Sequence, residues 1–362
     1  MGISRGTAKF LLNEHSNREF NGSILQLGRQ TFYFSEREFS QWAKEMNISL
    51  SNIDKNQLND DTINDIDFFQ LLGFNDVYSA DFSNYENPNF TFDLNYPIPE
   101  KYHNRFDVIY DGGTMEHCFN TFQVLQNMHA MLKEGGRVIH SSPSNNHVDH
   151  GFYMFSPTLF ADYYNANAWK VHSLNIFKYT QYHTKEPWFV YDYTPGCLEQ
   201  YAFGGFKDHK LLGIWNVNEK QSTSTSNVIP SQGFYNKTWK DSNETENSKI
   251  TFDANKKRIK IFGASVLGTE ALNSIKDTSK ILGFIDNSVD KNGTKFHDHS
   301  VTLPSNDLAD NCDYILIASL FAPEIYKQLL DLKIPKNKIK CYGLMDYQVD
   351  ALNLFEVPIA IY

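Results

Sequence analysis

The first 170 residues alternate short apolar runs with segments of helical periodicity, and this alternation restricts the fold more than any other feature. An alternation of this kind predicts a mostly parallel sheet covered by helices. We therefore expect an α/β protein in this part of the chain. The strand-like runs begin at Ile24, Asp76, Phe90, Phe106 and Arg137, and the helical patterns cover residues 35–46, 60–72, 121–132 and 156–165.

The pattern changes twice after residue 170. Aromatic runs such as WFVYDY and KLLGIWNVN predict antiparallel strands that partly complete the first sheet. The polar segment KDSNETEN, at 240–247, is typical of a linker. From residue 257 strands and helices alternate again, which predicts a second, smaller βαβ unit. The expected domains are therefore residues 1–240 and 249–362.

Charge and composition exclude several classes of protein. The formal net charge is −10, which argues against nucleic acid as the main partner, because phosphates require a basic surface. Aromatic residues make up 15% of the chain, which is typical of a folded protein with a large core. The sequence shows no apolar run of about 18 residues and no signal peptide at its start. We expect a cytoplasmic protein without a membrane span, and formation of a homo-oligomer stays open.

Acidic residues follow several of the predicted strands. Gly28 ends the first strand, and Asp81, Asp93 and Asp111 end the next three. Ligands of open α/β sheets bind outside the carboxyl ends of the strands. An Asp at the second strand end can accept two hydrogen bonds from the hydroxyls of a ribose. These positions therefore predict a ligand pocket at one edge of the sheet.

Residues 20–170 resemble the class I S-adenosylmethionine (SAM) dependent methyltransferases. The similarity is greatest over FDVIYDGGTMEHCFNTFQVLQNMHAMLKEGGRVIHSSPSNN, at 106–146, and extends to ADFSNYE and FDLN at 80–86 and 92–95. The resemblance implies a Rossmann-like fold with SAM as cofactor, in which Asp81 binds the ribose, Asp93 lies beside the adenine amino group and Gly28 approaches the methionine part. The other cofactor-binding residues that it implies are Leu94, Asp111 and Gly112.

The chain departs from the family at the loop after the first strand. The family has several glycines there and an acid before them, whereas the segment here is ILQLGRQTF. Only Gly28 remains, with Gln26 at the acid position and Arg29 after the glycine. The distance in sequence from Gly28 to Asp81 also exceeds that of an ordinary βαβ unit, so the helix at 60–72 is interpreted as an insertion.

Histidines close to the pocket suggest how an acceptor could be activated. An alcohol acceptor needs a base, and histidine fits that role near neutral pH. We predict that His150 is the base, that Asp149 or Glu116 orients it, and that His117 positions the acceptor or takes part in catalysis. In the segment HVDH, at 147–150, His147, Asp149 and His150 could instead supply two or three metal ligands, with His117 adding another. The spacing in HVDH is a weak metal pattern, so no metal is expected.

The C-terminal βαβ unit begins with IFGASVLG, in which Ser265 replaces the middle glycine of the dinucleotide fingerprint. Asp286 ends its next strand. This unit resembles the small Rossmann-like domains attached to sugar-modifying and polysaccharide-assembly enzymes. The resemblance implies a saccharide or nucleotide-linked sugar as acceptor, and hence O-methylation in surface-glycan biosynthesis. A structural, regulatory or mononucleotide-binding role is favoured for this unit. Two alternatives stay open, namely a catalytically silent SAM- or nucleotide-binding scaffold and an NAD(P)-dependent oxidoreductase that uses the C-terminal domain.

Overall fold

The computed structural model describes residues 2–51, 62–198, 210–233, 249–254, 257–356 and 358–362. The described chain folds into two compact units. The first unit contains the described residues up to 194, together with 210–233 and 358–362. The second contains 195–198, 249–254 and 257–356. The linker predicted at 240–247 and the boundary at residue 240 lie outside the described residues.

A nine-stranded sheet forms the centre of the first unit in the described chain, with the order β15-β7-β6-β8-β5-β4-β1-β2-β3. Strands β1 to β5 are parallel and follow the doubly wound order, whereas β8 runs antiparallel between β5 and β6. The Rossmann-like α/β fold expected for this part is confirmed. The strands are β1 (Ser23–Leu27), β2 (Asp76–Asp81), β3 (Phe90–Thr91), β4 (Phe106–Asp111), β5 (Leu132–Pro143), β6 (Lys170–Tyr179), β7 (Phe189–Asp192), β8 (Leu211–Glu219) and β15 (Ala360–Ile361).

Helices cover this sheet and bury their apolar sides in two clusters of core residues. A capping box opens the helix predicted at 35–46, because Ser35 Oγ accepts from Glu38 N while the Glu38 carboxylate accepts from Ser35 N. The first helix was not predicted from the sequence, and it buries Phe10 against the indole of Trp215 with ring centroids 4.4 Å apart. The helices are α1 (Arg5–Asn17), α2 (Glu36–Glu45), α3 (Asp65–Leu71), α4 (Thr121–Met131) and α5 (Pro157–Ala166).

Two element boundaries differ from the sequence prediction. The helix predicted at 121–132 ends at Met131, and β5 begins at Leu132. Gly135 and Gly136 therefore lie within β5, which begins before the strand-like run predicted from Arg137. The helix predicted at 60–72 starts at Asp65 with Asn64 as its N-cap, and residues 60 and 61 lie outside the described residues.

The register of the parallel strands determines where the site lies. Leu27 at the end of β1 is opposite Ala80 of β2 on one side and Asp111 of β4 on the other. The segments that leave these strands therefore start at the same level of one sheet edge. This edge is the carboxyl edge, where ligands of such sheets bind.

The second unit has its own six-stranded sheet in the described chain, with the order β11-β12-β10-β9-β13-β14. Its central strands are parallel, and only β11 is antiparallel to its neighbour. Its strands are β9 (Ile259–Phe262), β10 (Ile281–Ile285), β11 (Lys295–Phe296), β12 (His299–Thr302), β13 (Tyr314–Ile317) and β14 (Ile339–Cys341), and its helices are α6 (Val266–Ser274), α7 (Ala322–Asp331) and α8 (Asp346–Asp350).

The C-terminal residues belong to the first sheet. Strand β15 pairs with β7, so the second unit does not include the last residues of the predicted range 249–362. Separately, none of the helices in the described chain combines the length and apolar character that a membrane crossing requires.

Candidate functional site

A pocket of about 280 Å³ lies at the carboxyl edge of β1 to β4. The segments that follow these parallel strands form its walls, so it lies where the sequence predicts a ligand. Four of the six predicted cofactor residues line it, namely Gly28, Asp81, Asp93 and Leu94. The remaining lining residues are Ala80, Phe82, Phe92, Asn95, Gly113, Thr114, His117 and Cys118.

Gly28 stands at the centre of this edge with φ +70°, a conformation that favours glycine. A Cβ built on it would lie 3.1 Å from Thr114 Oγ1 and 3.9 Å from Asp81 Oδ2. Thr114 Oγ1 also donates to the carbonyl oxygen of Leu27 at 2.6 Å. The loop after β4 is thus tied to the end of β1, and the glycine keeps the space between them free for a ligand.

Two carboxylates face the pocket from neighbouring strand ends. Asp81 Oδ1 accepts from Ser83 N at 3.2 Å. Asp93 Oδ1 accepts from the main-chain and side-chain nitrogens of Asn95, at 2.9 and 2.8 Å. Each carboxylate is oriented by a local turn through one oxygen, which is Oδ1 in both cases. The Oδ2 atom of Asp81 is the one directed towards the space above Gly28.

Asp111 and Gly112 are not among the residues that line the pocket. Asp111 is fully buried, and its Oδ1 accepts from the main-chain nitrogens of Thr114 and Met115, at 3.1 and 3.2 Å. Its Oδ2 lies 2.8 Å from Nδ1 of buried His140, whose Nε2 lies 2.6 Å from the hydroxyl of Tyr164. Asp111 therefore holds the loop that carries the pocket residues. Gly113 and Thr114, the two residues after Gly112, line the pocket.

An ion pair holds the loop after β1, in which Gly28 is followed by Arg29. Arg29 binds Asp65 at the start of α3 through Nε at 3.0 Å and Nη2 at 2.6 Å. Gln26, at the position of the family's acid, donates to the same carboxylate at 2.6 Å. Phe32 packs against Phe68 in the core, with ring centroids 4.8 Å apart. Neither Arg29 nor Phe32 fills the pocket, because both side chains are directed towards the inserted helix.

Three of the four predicted catalytic residues come together beside the pocket. Glu116 Oε1 lies 3.5 Å from His150 Nε2 and 4.0 Å from His117 Nε2. Glu116 is fully buried, whereas the two imidazoles are partly exposed. The Glu116 carbonyl accepts from Phe152 N at 2.9 Å, which ties the loop after β5 to the loop after β4. His117 belongs to both this group and the pocket lining.

Gly151 allows the two loops to come so close. A Cβ at Gly151 would lie 2.9 Å from the carbonyl oxygen of Glu116 and 3.2 Å from Nδ1 of His117. A larger residue there would push the loop that carries His150 away from Glu116. This glycine is the sequence signal for the cluster, and the sequence interpretation did not use it.

Asp149 and His147 take other positions. Asp149 is exposed with φ +65° and is not one of the three residues whose ligand atoms come together, so Glu116 is the carboxylate that faces His150. His147 is buried and lies 3.2 Å from the hydroxyl of Tyr179 through Nε2. Burial lowers the pKa of His147 to about 4, and the nearby His150 adds to this effect, so its imidazole is neutral at pH 7.

An aromatic rim, formed by Phe119, Phe152 and Tyr153, adjoins the same cluster. The rings of Phe119 and Phe152 are 71% and 67% exposed and meet edge to face, with centroids 5.6 Å apart. Tyr153 donates its hydroxyl to the carbonyl oxygen of Phe119 at 2.8 Å, which fixes the arrangement. Exposed aromatic rings that are held in place offer a flat surface on which an acceptor can stack.

Cys118 was not predicted as a pocket residue. Burial raises the pKa of its thiol to about 12, and the charges of Asp111, Asp93 and Glu116 add to this effect. The thiol is therefore protonated at neutral pH and lacks the thiolate that nucleophilic chemistry requires.

In the second unit, the carboxylate that corresponds to a ribose-binding acid is already engaged. Asp286 Oδ2 accepts from Ala264 N at 3.0 Å and from Lys291 Nζ at 2.8 Å. Lys291 Nζ also donates to the carbonyl oxygen of Ala264 at 2.9 Å. These bonds link the turn between β9 and α6 to Asp286 and Lys291, so Asp286 Oδ2 already accepts hydrogen bonds from the protein itself.

Comparison with known proteins gives a family match for part of the chain only. Residues 255–340 match the family model described as C2185-like, N-terminal. No curated protein matches the sequence.

Solved structures resemble about 60% of the chain. A candidate methyltransferase of Bacillus halodurans is 8% identical, with a TM-score of 0.35, over 60% of this chain and 100% of that one. A SAM-dependent methyltransferase of Archaeoglobus fulgidus is 12% identical, with a TM-score of 0.29, over 59% and 95%. Phosphoethanolamine N-methyltransferase 2 of Haemonchus contortus, bound to S-adenosylhomocysteine, is 9% identical, with a TM-score of 0.31, over 60% and 53%. The structural neighbours thus include SAM-dependent methyltransferases.

Proposed function

We propose that this protein is a SAM-dependent methyltransferase that methylates an oxygen of a small polar acceptor, with a saccharide or nucleotide-linked sugar as the favoured class. The observation that carries the proposal is the pocket at the carboxyl edge, where the space above Gly28 is flanked by Asp81 and Asp93. Such a strand-end pocket is where α/β sheets bind nucleotide-like ligands.

The residues of the pocket fit the parts of SAM. Asp81, at the end of β2, would accept hydrogen bonds from the ribose hydroxyls, and Asp93 would accept from the adenine amino group. Apolar side chains of Phe92 and Leu94 would cover the base. When bound, the cofactor supplies a methyl group on a sulfonium, which is already a good leaving group. The residues of the chain would therefore have to orient the acceptor and remove the proton of its hydroxyl group.

The acceptor would meet the pocket beside Glu116, His117 and His150. His117 lines the pocket and is close to His150, with ring centroids 5.2 Å apart. In this proposal Glu116 orients the imidazole of His150 through Nε2, and the other ring nitrogen, Nδ1, receives the hydroxyl proton of the acceptor. The aromatic rim supports a ring-shaped acceptor through stacking, which favours a sugar or nucleotide.

The second unit is proposed to have a structural or regulatory role. Because Asp286 already binds Ala264 and Lys291, it has less capacity to receive ribose hydroxyls, and this weighs against an NAD(P)-dependent oxidoreductase. A place in surface-glycan assembly agrees with a sugar acceptor and belongs to the same proposal.

Binding of SAM to the full chain tests the cofactor assignment. Calorimetric titration with SAM and with S-adenosylhomocysteine should give one site. Asp81→Ala should weaken binding by about 10–100-fold, since each lost charge-assisted bond is worth about 1.5–3 kcal/mol at most. Asp76→Ala, at the opposite and exposed end of the same strand, is the control and should bind as the wild type does. Equal affinity in the two variants would remove Asp81 from the pocket.

Turnover separates an enzyme from a silent scaffold. The protein is incubated with SAM carrying a labelled methyl group and a panel of sugars and nucleotide-linked sugars, and products are detected by mass spectrometry. A methylated sugar is the expected product, and His150→Ala should reduce its rate by about 10²–10⁴ with little change in SAM affinity. Binding of SAM without any methylated product across the panel would favour the scaffold.

A further inference from the structure

The group Glu116, His117 and His150 contains a buried carboxylate without a hydrogen-bond donor. Glu116 has no exposed surface, and within the described chain neither of its oxygens accepts a hydrogen bond. The nearest basic atoms are the Nε2 atoms of His150 and His117, at 3.5 and 4.0 Å from Oε1. A buried carboxylate without partners is costly, because the water that it gives up is not replaced.

Neither imidazole donates a hydrogen bond to the Glu116 carboxylate in this arrangement. Nε2 of His150 is itself a buried atom without a hydrogen-bond partner in the described chain. Two groups that both need a partner thus stand next to each other without forming a hydrogen bond. A ligand that binds oxygen and nitrogen together would satisfy both, and a cation is the simplest ligand of this kind.

The geometry points to a divalent transition-metal site formed by Glu116, His117 and His150. One ligand atom from each residue lies within 4.8 Å of the other two. Ligand atoms around a tetrahedral zinc ion stand about 3.3 Å apart, so closure by up to about 1.5 Å would complete three ligands. Two histidines and one carboxylate form a ligand set used for zinc and for iron, with open positions left for an exogenous group.

The surroundings suit a site that accepts a further ligand. Glu116 is buried, whereas the side chains of His150 and His117 are 30% and 47% exposed, so one side of the group is open. The neighbouring His147 is held by Tyr179 and is not one of the three. This assignment departs from the sequence expectation of no metal, because the metal alternative drawn from the sequence used HVDH with His117 and did not include Glu116 as a ligand.

The use of the site in methyl transfer rests on the proposed function. His117 is shared between the cluster and the pocket lining, so a cation held there would stand next to the cofactor space. An acceptor hydroxyl that occupies an open coordination position would be oriented towards that space, and its pKa would be lowered. With the cation bound, His150 and Glu116 would be ligands, and the lowered pKa of the hydroxyl would replace the role of His150 as base. An acceptor with vicinal oxygens, such as a sugar, suits such a position.

Metal binding can be measured without any acceptor or cofactor. The full-length protein is stripped with a chelator and titrated with Co²⁺ under visible absorption, and with Zn²⁺ by calorimetry. We expect saturation at one equivalent, with ligand-field bands that report nitrogen and oxygen ligands. Absence of saturable binding by the wild-type protein would overturn the assignment.

Three variants identify the ligands, and one serves as a matched control. Glu116→Gln, His117→Gln and His150→Gln should each raise the dissociation constant for Co²⁺ by more than about 100-fold, because changes beyond the ligands alone cost about 10–100-fold. His172 forms another histidine–carboxylate pair, 2.8 Å from Glu219, and His172→Gln should leave binding unchanged. Wild-type affinity in all three variants, or an equal loss in the control, would overturn the proposal.

Two further measurements distinguish loss of the metal site from loss of the fold, and failure of the metal site from failure of the proposed function. Thermal unfolding of each variant shows whether a loss of binding reflects a loss of fold, and His117→Gln, at the most exposed of the three side chains, is the variant least affected by burial. SAM is titrated into the metal-free protein in parallel. Cobalt binding without SAM binding supports the metal site and rejects the methyltransferase. SAM binding without cobalt binding rejects only the metal site.

Discussion

Arg29 and Asp65 form an ion pair with two hydrogen bonds, at 2.6 and 3.0 Å, which joins the loop after β1 to the start of α3. Asp65 is 5% exposed and Arg29 is 32% exposed. The pair keeps the guanidinium of Arg29 away from the space above Gly28. Helix α3 therefore supplies the partner of the cation that follows Gly28.

Breaking this pair should destabilise the first unit. Asp65→Asn leaves Arg29 partly buried without its counter-charge, and we expect the free energy of unfolding to fall by about 3 kcal/mol. Urea unfolding of the variant measures this change. Asp76→Asn, at the exposed start of β2, is the control and should change stability by less than about 0.5 kcal/mol. Equal effects of the two substitutions would show that the pair with Arg29 has no special role.

Alanine substitutions at two glycines with similar backbone conformations distinguish the effect of backbone strain from the effect of blocking the pocket. Gly28 and Gly135 have φ +70° and +74°, but only Gly28 has atoms within 4 Å of a built Cβ. Each Gly→Ala change should cost about 1–2 kcal/mol of stability through left-handed strain. Only Gly28→Ala should also weaken SAM binding, because its methyl group enters the pocket. Calorimetry on both variants is the test, and an equal loss of SAM affinity at Gly135 would contradict it.

The buried hydrogen-bonded series of Asp111, His140 and Tyr164 should stabilise the fold. Burial raises the pKa of Tyr164 well above its usual value, so the phenol keeps its proton and donates to Nε2 of His140. Tyr164→Phe leaves that nitrogen unpaired and should lower the free energy of unfolding by about 1–3 kcal/mol. Tyr163→Phe loses a longer bond, of 3.2 Å, to the carbonyl oxygen of Ser226 and should cost less. The reverse order of the two unfolding midpoints would contradict the assignment.

Asp107 should contribute stability that disappears in acid. Partial burial acts to raise its pKa, but hydrogen bonds from Lys133 Nζ and from Ser23 outweigh burial and lower it below the usual value of 3.8. A carboxyl group with a lowered pKa in the folded state stabilises the fold above its unfolded pKa, and this contribution is lost as the pH falls through the folded value. The stability difference between wild type and Asp107→Asn should therefore be largest at neutral pH and shrink below about pH 4. A difference that does not vary with pH in urea titrations would contradict this.

The parallel strands could be predicted from the sequence because their apolar runs are short and end at Gly or Asp. The orientation of each Asp could not be predicted in this way. Asp111 and His140 are partners in the register of β4 and β5, and their mutual hydrogen bond directs both side chains into the core. An acid and a histidine at equal register on adjacent strands could have indicated this pairing, but the register is not visible in one sequence.

For the group of Glu116, His117 and His150, the sequence indicated the members but not their arrangement. Glu116 and His150 both follow strands that end at the same edge, which is why the sequence analysis expected them near the predicted ligand pocket. Their approach to 3.5 Å depends on Gly151 and on the main-chain bond from Phe152 to Glu116. Helix α1 was missed because buried residues surround it on several sides, so it lacks a clear polar face.

The short strand β15 limits how the chain can be divided. It pairs with β7 through Ala360 and Val190, and bonds between Trp188 and Tyr362 extend the pairing at its end. A protein cut off after residue 249 would expose the backbone groups of β7 along a bare sheet margin, which invites association between molecules. Studies of the first unit alone therefore need residues 358–362 rejoined to it, for instance by a short flexible peptide in place of the second unit.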